Sequence, residues 1–193
     1  MNRALIVALC CIAVAAALVA ASCRARTVEA EPAASVERGG YLVTAMGCGD
    51  CHSPKKMGPQ GPEEDGSRRL SGYLEGSNLP APPALGTGPW VATGSWDQTA
   101  WAGPWGISYA TNLTPDENTG IGSWSEDTFV KALKSGRHMG VARPILPPMP
   151  WTSLRYLSDT DLRSMYAYLR TLPPVHNRVP EPVPPAAPAP VAP

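Results

Sequence analysis

The chain is short of the large side chains that usually fill an interior: its 193 residues include a single phenylalanine. It has no excess charge of either sign, the formal net charge being zero. Loss of the first 22 residues would remove only Arg3, leaving sixteen acidic side chains against fifteen basic ones. Without a basic face there is no support for nucleic-acid binding. The chain also lacks the cysteines for a disulfide framework. Of its five, Cys10 and Cys11 sit in an apolar N-terminal run and Cys23 at its boundary, so only Cys48 and Cys51 remain in the part expected to fold. No strand is convincingly signalled. What it has instead is 23 prolines and 18 glycines. Such a chain is loop-rich, and a buried cofactor would help supply the core its own side chains do not.

The organisation reads in three parts. Arg3 is followed by an uncharged run from Ala4 to Ser22, a basic start and apolar stretch that describe an export signal. Three fates stay open for residues 1–22. The segment is cleaved as a signal peptide, kept as a membrane anchor (about 20 apolar residues span a bilayer), or processed as a lipoprotein signal. In the last case Ala20-Ala21-Ser22-Cys23 serves as the box and Cys23 carries the lipid. Residues 33–172 are the size of one domain. Residues 173–193 hold nine prolines in 21 positions and are expected to be an extended, largely disordered tail.

The informative pair of cysteines stands in Cys48-Gly49-Asp50-Cys51-His52, the pattern of covalent haem attachment. Each thiol can add to one vinyl group of the ring. The two-residue gap sets the sulfurs about one helical turn apart, and the next residue brings an imidazole to the iron. A thioredoxin-like pair would need a βαβ setting, which the chain does not signal. A zinc site would need another Cys or His pair nearby, and His138 and His176 are distant and isolated. One haem c, attached through Cys48 and Cys51 with His52 as one axial iron ligand, is therefore expected.

The expected fold class is mainly α: a few short helices joined by long Gly/Pro-rich loops around one haem. Residues 36–46 read as a first helix delivering the chain into the attachment motif. Residues 55–108 show no sustained period, and Trp90, Trp96, Trp101 and Trp105 within them are expected to cover an apolar ring. Ser125 caps a second helix with an apolar stripe at Phe129, Val130 and Leu133, stopped by Gly136. Ser158 begins the last one, where Ser158-Asp159-Thr160-Asp161 resembles a capping box. Leu162, Met165, Tyr166 and Leu169 share a face of it, and Arg170 sits in the last turn.

The second axial position has several candidates. Met46 and Met57 are close in sequence to the motif, Met165 belongs to a core stripe, and His176 is in the tail. Met149, between Pro148 and Pro150, lies in a loop whose prolines stiffen the backbone. It is the expected ligand, with Met139 and His138 as alternatives.

The attachment motif, the distant Pro148-Met149-Pro150 and a closing helix ending Tyr166-Ala167-Tyr168-Leu169-Arg170 together resemble class I bacterial cytochromes c. Thr111-Asn112-Leu113-Thr114-Pro115-Asp116, Thr119-Gly120-Ile121-Gly122 and Trp124 narrow this to the cytochrome c subunits of periplasmic alcohol, gluconate and aldehyde dehydrogenases. The resemblance implies Cys48 and Cys51 as thioether positions and His52 and Met149 as the axial pair. Those subunits usually carry three attachment motifs and this chain carries one. It is thus expected to be a periplasmic mono-haem carrier of single electrons between a dehydrogenase or respiratory donor and a downstream acceptor. It is not expected to be an enzyme, and association with the membrane is expected through the N-terminus. A His/Met pair leaves the iron no open position, and methionine raises its potential. The competing class is a haem enzyme or gas-binding sensor with an open or labile sixth ligand. A third is a subunit that needs haem only to fold.

Overall fold

The computed structural model describes residues 33–83 and 89–185; the N-terminal run, with Cys10, Cys11 and Cys23, and the last eight residues of the tail lie outside the described residues. The described residues all belong to one unit, Ala33–Pro193. Among the described residues no helix is long and apolar enough to cross a membrane.

Two helices cross at the centre. Helix α1 spans Val36–Ala45, and its N-cap Ser35 accepts from the Arg38 amide through Oγ at 3.1 Å. It runs straight into α2, the single turn Cys48–His52, because Gly47 adopts a left-handed φ of 66° that few side chains tolerate. Helix α3 spans Glu126–Ser135 between the expected signals. The Ser125 hydroxyl accepts from the Thr128 amide, and Gly136, at φ 66°, donates its amide to the Ala132 carbonyl. A short α4, Trp151–Leu154, follows Pro150. Helix α5 spans Asp159–Leu169, and Ser158 Oγ accepts from the Asp161 amide at 3.0 Å. The expected capping box is only half formed, since Asp161 turns its carboxylate to Arg38 Nε of α1 at 2.9 Å.

Helix α1 packs directly on α5. The backbones approach so closely that a Cβ on Gly39 would lie 1.8 Å from the Ser164 carbonyl oxygen. Only glycine allows the crossing, and the Ser35 amide donates to Ser164 Oγ beside it at 3.1 Å. Leu42 and Val43 of α1, Phe129, Val130 and Leu133 of α3, and Leu162, Met165 and Leu169 of α5 bury together with Leu70, Ile121 and Leu154 as one core. That matches the stripes read from helical spacing.

Among the described residues five short α-helices are accompanied by two small sheets, so the expectation of helices and loops alone is corrected. Strands β1 (Lys55–Gly58) and β2 (Gly61–Glu64) form a hairpin that pairs Lys55 with Glu64 and Lys56 with Glu63. The cross-strand charges are complementary. Strands β3 (Thr93–Gly94), β4 (Ala100–Gly103) and β5 (Gly106–Tyr109) form an antiparallel meander. Strands of two to four residues rich in glycine leave almost no alternating pattern to read.

The tail differs as well. Residues 173–185 are extended, but they lie against the domain. Asn177 is 1% exposed. Its Nδ2 donates to the Ser71 and Tyr73 carbonyls at 2.7 and 2.8 Å, and its Oδ1 accepts from the Glu75 amide at 2.8 Å. Further on, Val183 exchanges two backbone hydrogen bonds with Ile107 of β5, at 2.8 and 2.9 Å.

Candidate cofactor site

One large cavity, about 720 Å³, opens against α2. Cys48, Cys51 and His52 line one part of it, and the loop 145–150 with Met149 lines another. Val43, Leu113, Ile121, Phe129, Leu133 and Met165 bring the apolar core to its walls.

His52 is held by its first ring nitrogen. Nδ1 lies 2.8 Å from the Thr111 carbonyl, which only accepts, so Nδ1 carries the proton and Nε2 is left with a free lone pair. That is the arrangement by which a metal-binding imidazole is oriented. Burial pulls the His52 pKa below its ordinary value, partly opposed by the Thr111 hydrogen bond, and so favours the neutral ring a metal requires. The acceptor is itself fixed. The Gly72 amide donates to the His52 carbonyl at 2.7 Å, the Tyr73 amide to the Ala110 carbonyl at 2.9 Å, and the Leu113 amide to the Leu70 carbonyl at 2.8 Å. The 70–73 segment thus pins both the imidazole and the strand that holds it. Burial pushes the Cys48 thiol up to about 11 and raises the Cys51 thiol too, so neither is a poised thiolate of the redox-active kind.

Elsewhere on the lining, Ser108 Oγ of β5 donates to the Pro147 carbonyl at 2.6 Å, tying down the loop that carries Met149. The sixth-ligand candidates do not all reach the cavity. Met46, His138, Met139, Met149 and Met165 line it, whereas Met57 is 72% exposed and His176 is not among the lining residues. His138 sits edge-on to Trp124, ring centroids 5.2 Å apart.

The expectation for the four loop tryptophans is corrected. Trp101 lines the cavity, but Trp90 and Trp96 are exposed, and Trp105 lies over Gly103 with Nε1 toward Ser108 Oγ at 3.2 Å. The β3–β5 meander turns alternate side chains to opposite faces, which a reading of the stretch as loop could not anticipate. Trp124 meets the cavity in their place. Residues 178–182 also line it, a wall that sequence reasoning missed because their anchor, Asn177, finds its partners about a hundred positions upstream. The Asn112–Trp124 run has a visible structural use. Asn112 Nδ2 donates to the Val175 carbonyl at 2.8 Å, and Oδ1 accepts from the Thr114 amide and hydroxyl.

A cavity of this size, reached by the apolar core on part of its wall, with two thiols one turn apart and an imidazole whose Nε2 is free, fits a porphyrin held by Cys48 and Cys51 with iron at His52. The class it defines is a cytochrome c-like domain. Similarity to known proteins then specifies the kind. The chain is a homologue of the cytochrome c subunits of bacterial dehydrogenases. It is 36% identical over 138 residues to the gluconate 2-dehydrogenase cytochrome c subunit of Pantoea cypripedii, covering 70% of this chain and 22% of that one. It is 30% identical over 152 residues to the fructose dehydrogenase cytochrome subunit of Gluconobacter japonicus, covering 77% and 24%. It is 34% identical over 143 residues to the cytochrome c subunit of the quinone-dependent alcohol dehydrogenase of Gluconacetobacter polyoxogenes, covering 72% and 25%. The chain thus spans about a quarter or less of the length of these curated relatives. No family model matches it.

Proposed function

We propose that this chain is an exported mono-haem cytochrome c that passes single electrons from a dehydrogenase or respiratory donor to a downstream acceptor in the periplasm, without catalysing a reaction of its own. Cys48 and Cys51 hold haem c covalently, and His52 and Met149 are the axial ligands. The observation that carries this reading is the His52–Thr111 contact at 2.8 Å in a cavity shared by both cysteines and Met149.

When bound, haem c supplies an iron centre that takes up and gives up one electron. The chain's residues hold that centre still. Thr111 fixes the imidazole and Ser108 fixes the Pro147 loop. A site whose ligands keep their places in both oxidation states spends little on reorganisation. Docking is brief and through a small interface. With no net charge, long-range steering is weak and association depends only modestly on salt. Attachment to the membrane through residues 1–22 or a lipid on Cys23 belongs to the same reading.

The test is a visible spectrum of purified protein made with the haem-ligation machinery, with its mass. One covalent haem, surviving acid acetone, and a methionine-to-iron band in the oxidised form are expected. A colourless protein, an extractable haem, or a reduced form that binds carbon monoxide at once would overturn the assignment, the last in favour of an open-site enzyme or sensor.

A further inference from the structure

The tail is more than a trailing end. It leaves α5, is tied to the 112–114 segment at Val175, and sinks Asn177 among Ser71, Tyr73 and Glu75. It then runs along the cavity as residues 178–182, all of which line it, and is tied again at Val183 to β5. Val179 and Pro182 are half-buried, while Pro180 and Glu181 are exposed, and all four line the cavity. Between the two anchors, prolines at 180 and 182 fix φ and remove donors, so the stretch is stiff. Two contacts set it beside the Met149 loop. Glu181 Oε2 lies 3.3 Å from Arg143 Nε, two residues before that loop begins. Val183 also pairs with Ile107, whose neighbour Ser108 holds Pro147.

We infer that residues 177–183 are a strap, pinned at Asn177 and Val183, that closes the Met149 side of the cavity and controls access of small ligands to the metal. Asn177 and Val183 are positioning residues: they act through the strap and touch no reacting atom. The inference rests on the cavity being the haem site, and the test separates the two.

The full-length ferric holoprotein is compared with its Asn177→Ala/Val183→Pro double variant. The first change removes two donors and an acceptor, and the second removes the amide that bonds Ile107. A control, Tyr156→Ala, alters a residue 83% exposed and outside the strap. Imidazole binding is followed by stopped-flow absorbance, and protection of the strap amides by hydrogen exchange. The double variant is expected to keep its covalent haem, lose protection at the amides of residues 177 and 178 and bind imidazole about tenfold faster or more, as the loss of two or more net hydrogen bonds implies. The control should match the unmodified protein. Loss of strap protection with an unchanged imidazole rate would overturn the inference. So would retained protection, because the anchors would then not hold the strap. An unmodified protein without haem would instead sink the proposed function.

Discussion

Replacing Gly39 with alanine sets two effects of opposite sign against each other. Alanine is the better helix former by about 1 kcal/mol, so a helix judged alone would gain. In the crossing with α5, however, the new Cβ would stand 1.8 Å from the Ser164 carbonyl oxygen, 2.4 Å from its carbon and 2.9 Å from Tyr168 Cβ. The first two are backbone atoms and cannot swing aside. Restoring ordinary contact takes a separation of about 1.5 Å, along a seam where Leu42, Val43, Leu162 and Leu169 are 5% exposed or less. Overpacking of this kind costs about 3 kcal/mol, at the upper end of its usual range. A net loss of about 2 kcal/mol is therefore expected in urea unfolding of the holoprotein followed by circular dichroism. Gly40→Ala is the comparison, since its new Cβ would meet only the Tyr168 ring, at 3.1 Å, which can turn. It should stay within about 1 kcal/mol of the parent. A Gly39→Ala protein as stable as the parent, or more so, would refute the reasoning, for propensity would then have outweighed the clash.

Met149→Ala should retain covalent haem, lose the methionine-to-iron band and bind carbon monoxide when reduced; survival of the band would transfer the ligand role to Met139 or another candidate. Ser108→Ala leaves the Pro147 carbonyl without its 2.6 Å donor, at a cost of about 1 kcal/mol, and the same band should bleach at lower urea than in the parent. The Thr119 hydroxyl, with the Thr119 and Asn118 amides and His176, holds the Asp116 carboxyl below its ordinary pKa. The folded state thus favours the ionised form. The resulting stability is complete above about pH 4 and is lost as pH falls through the lowered value. The urea midpoints of the parent and of Asp116→Asn should converge on acidification, and a constant gap would show that ionisation of Asp116 plays no part.

How far the sequence could be read depends on how local each signal is. Ser125 and Gly136 bound α3 because a cap and a left-handed stop act within one turn, and the same holds for Ser158 at α5. The Cys48–His52 motif is five consecutive residues, and Cys48, Asp50, Cys51 and His52 all line the cavity. The β3–β5 meander was missed for the opposite reason. Its strands are too short for a period, and their register is set by each other and by Val183. With the meander went the places of Trp90, Trp96 and Trp105. Composition could not show how the tail packs: the prolines argue for an extended chain, as residues 173–185 are, but those residues are held by Asn177 and by carbonyls at 71 and 73 that no spacing rule connects to it.

Strand β5 and the residues just after it meet both ends of the site. Ser108 holds the Met149 loop and Thr111 holds His52, three positions apart and so about 10 Å along extended chain. The gap between His52 and the Met149 loop is therefore gauged by one short length of backbone rather than by two independent walls. An inserted or deleted residue between 108 and 111 would mis-set both groups together and could not be repaired by repacking either one. This stretch can lengthen or shorten only at the expense of the whole site.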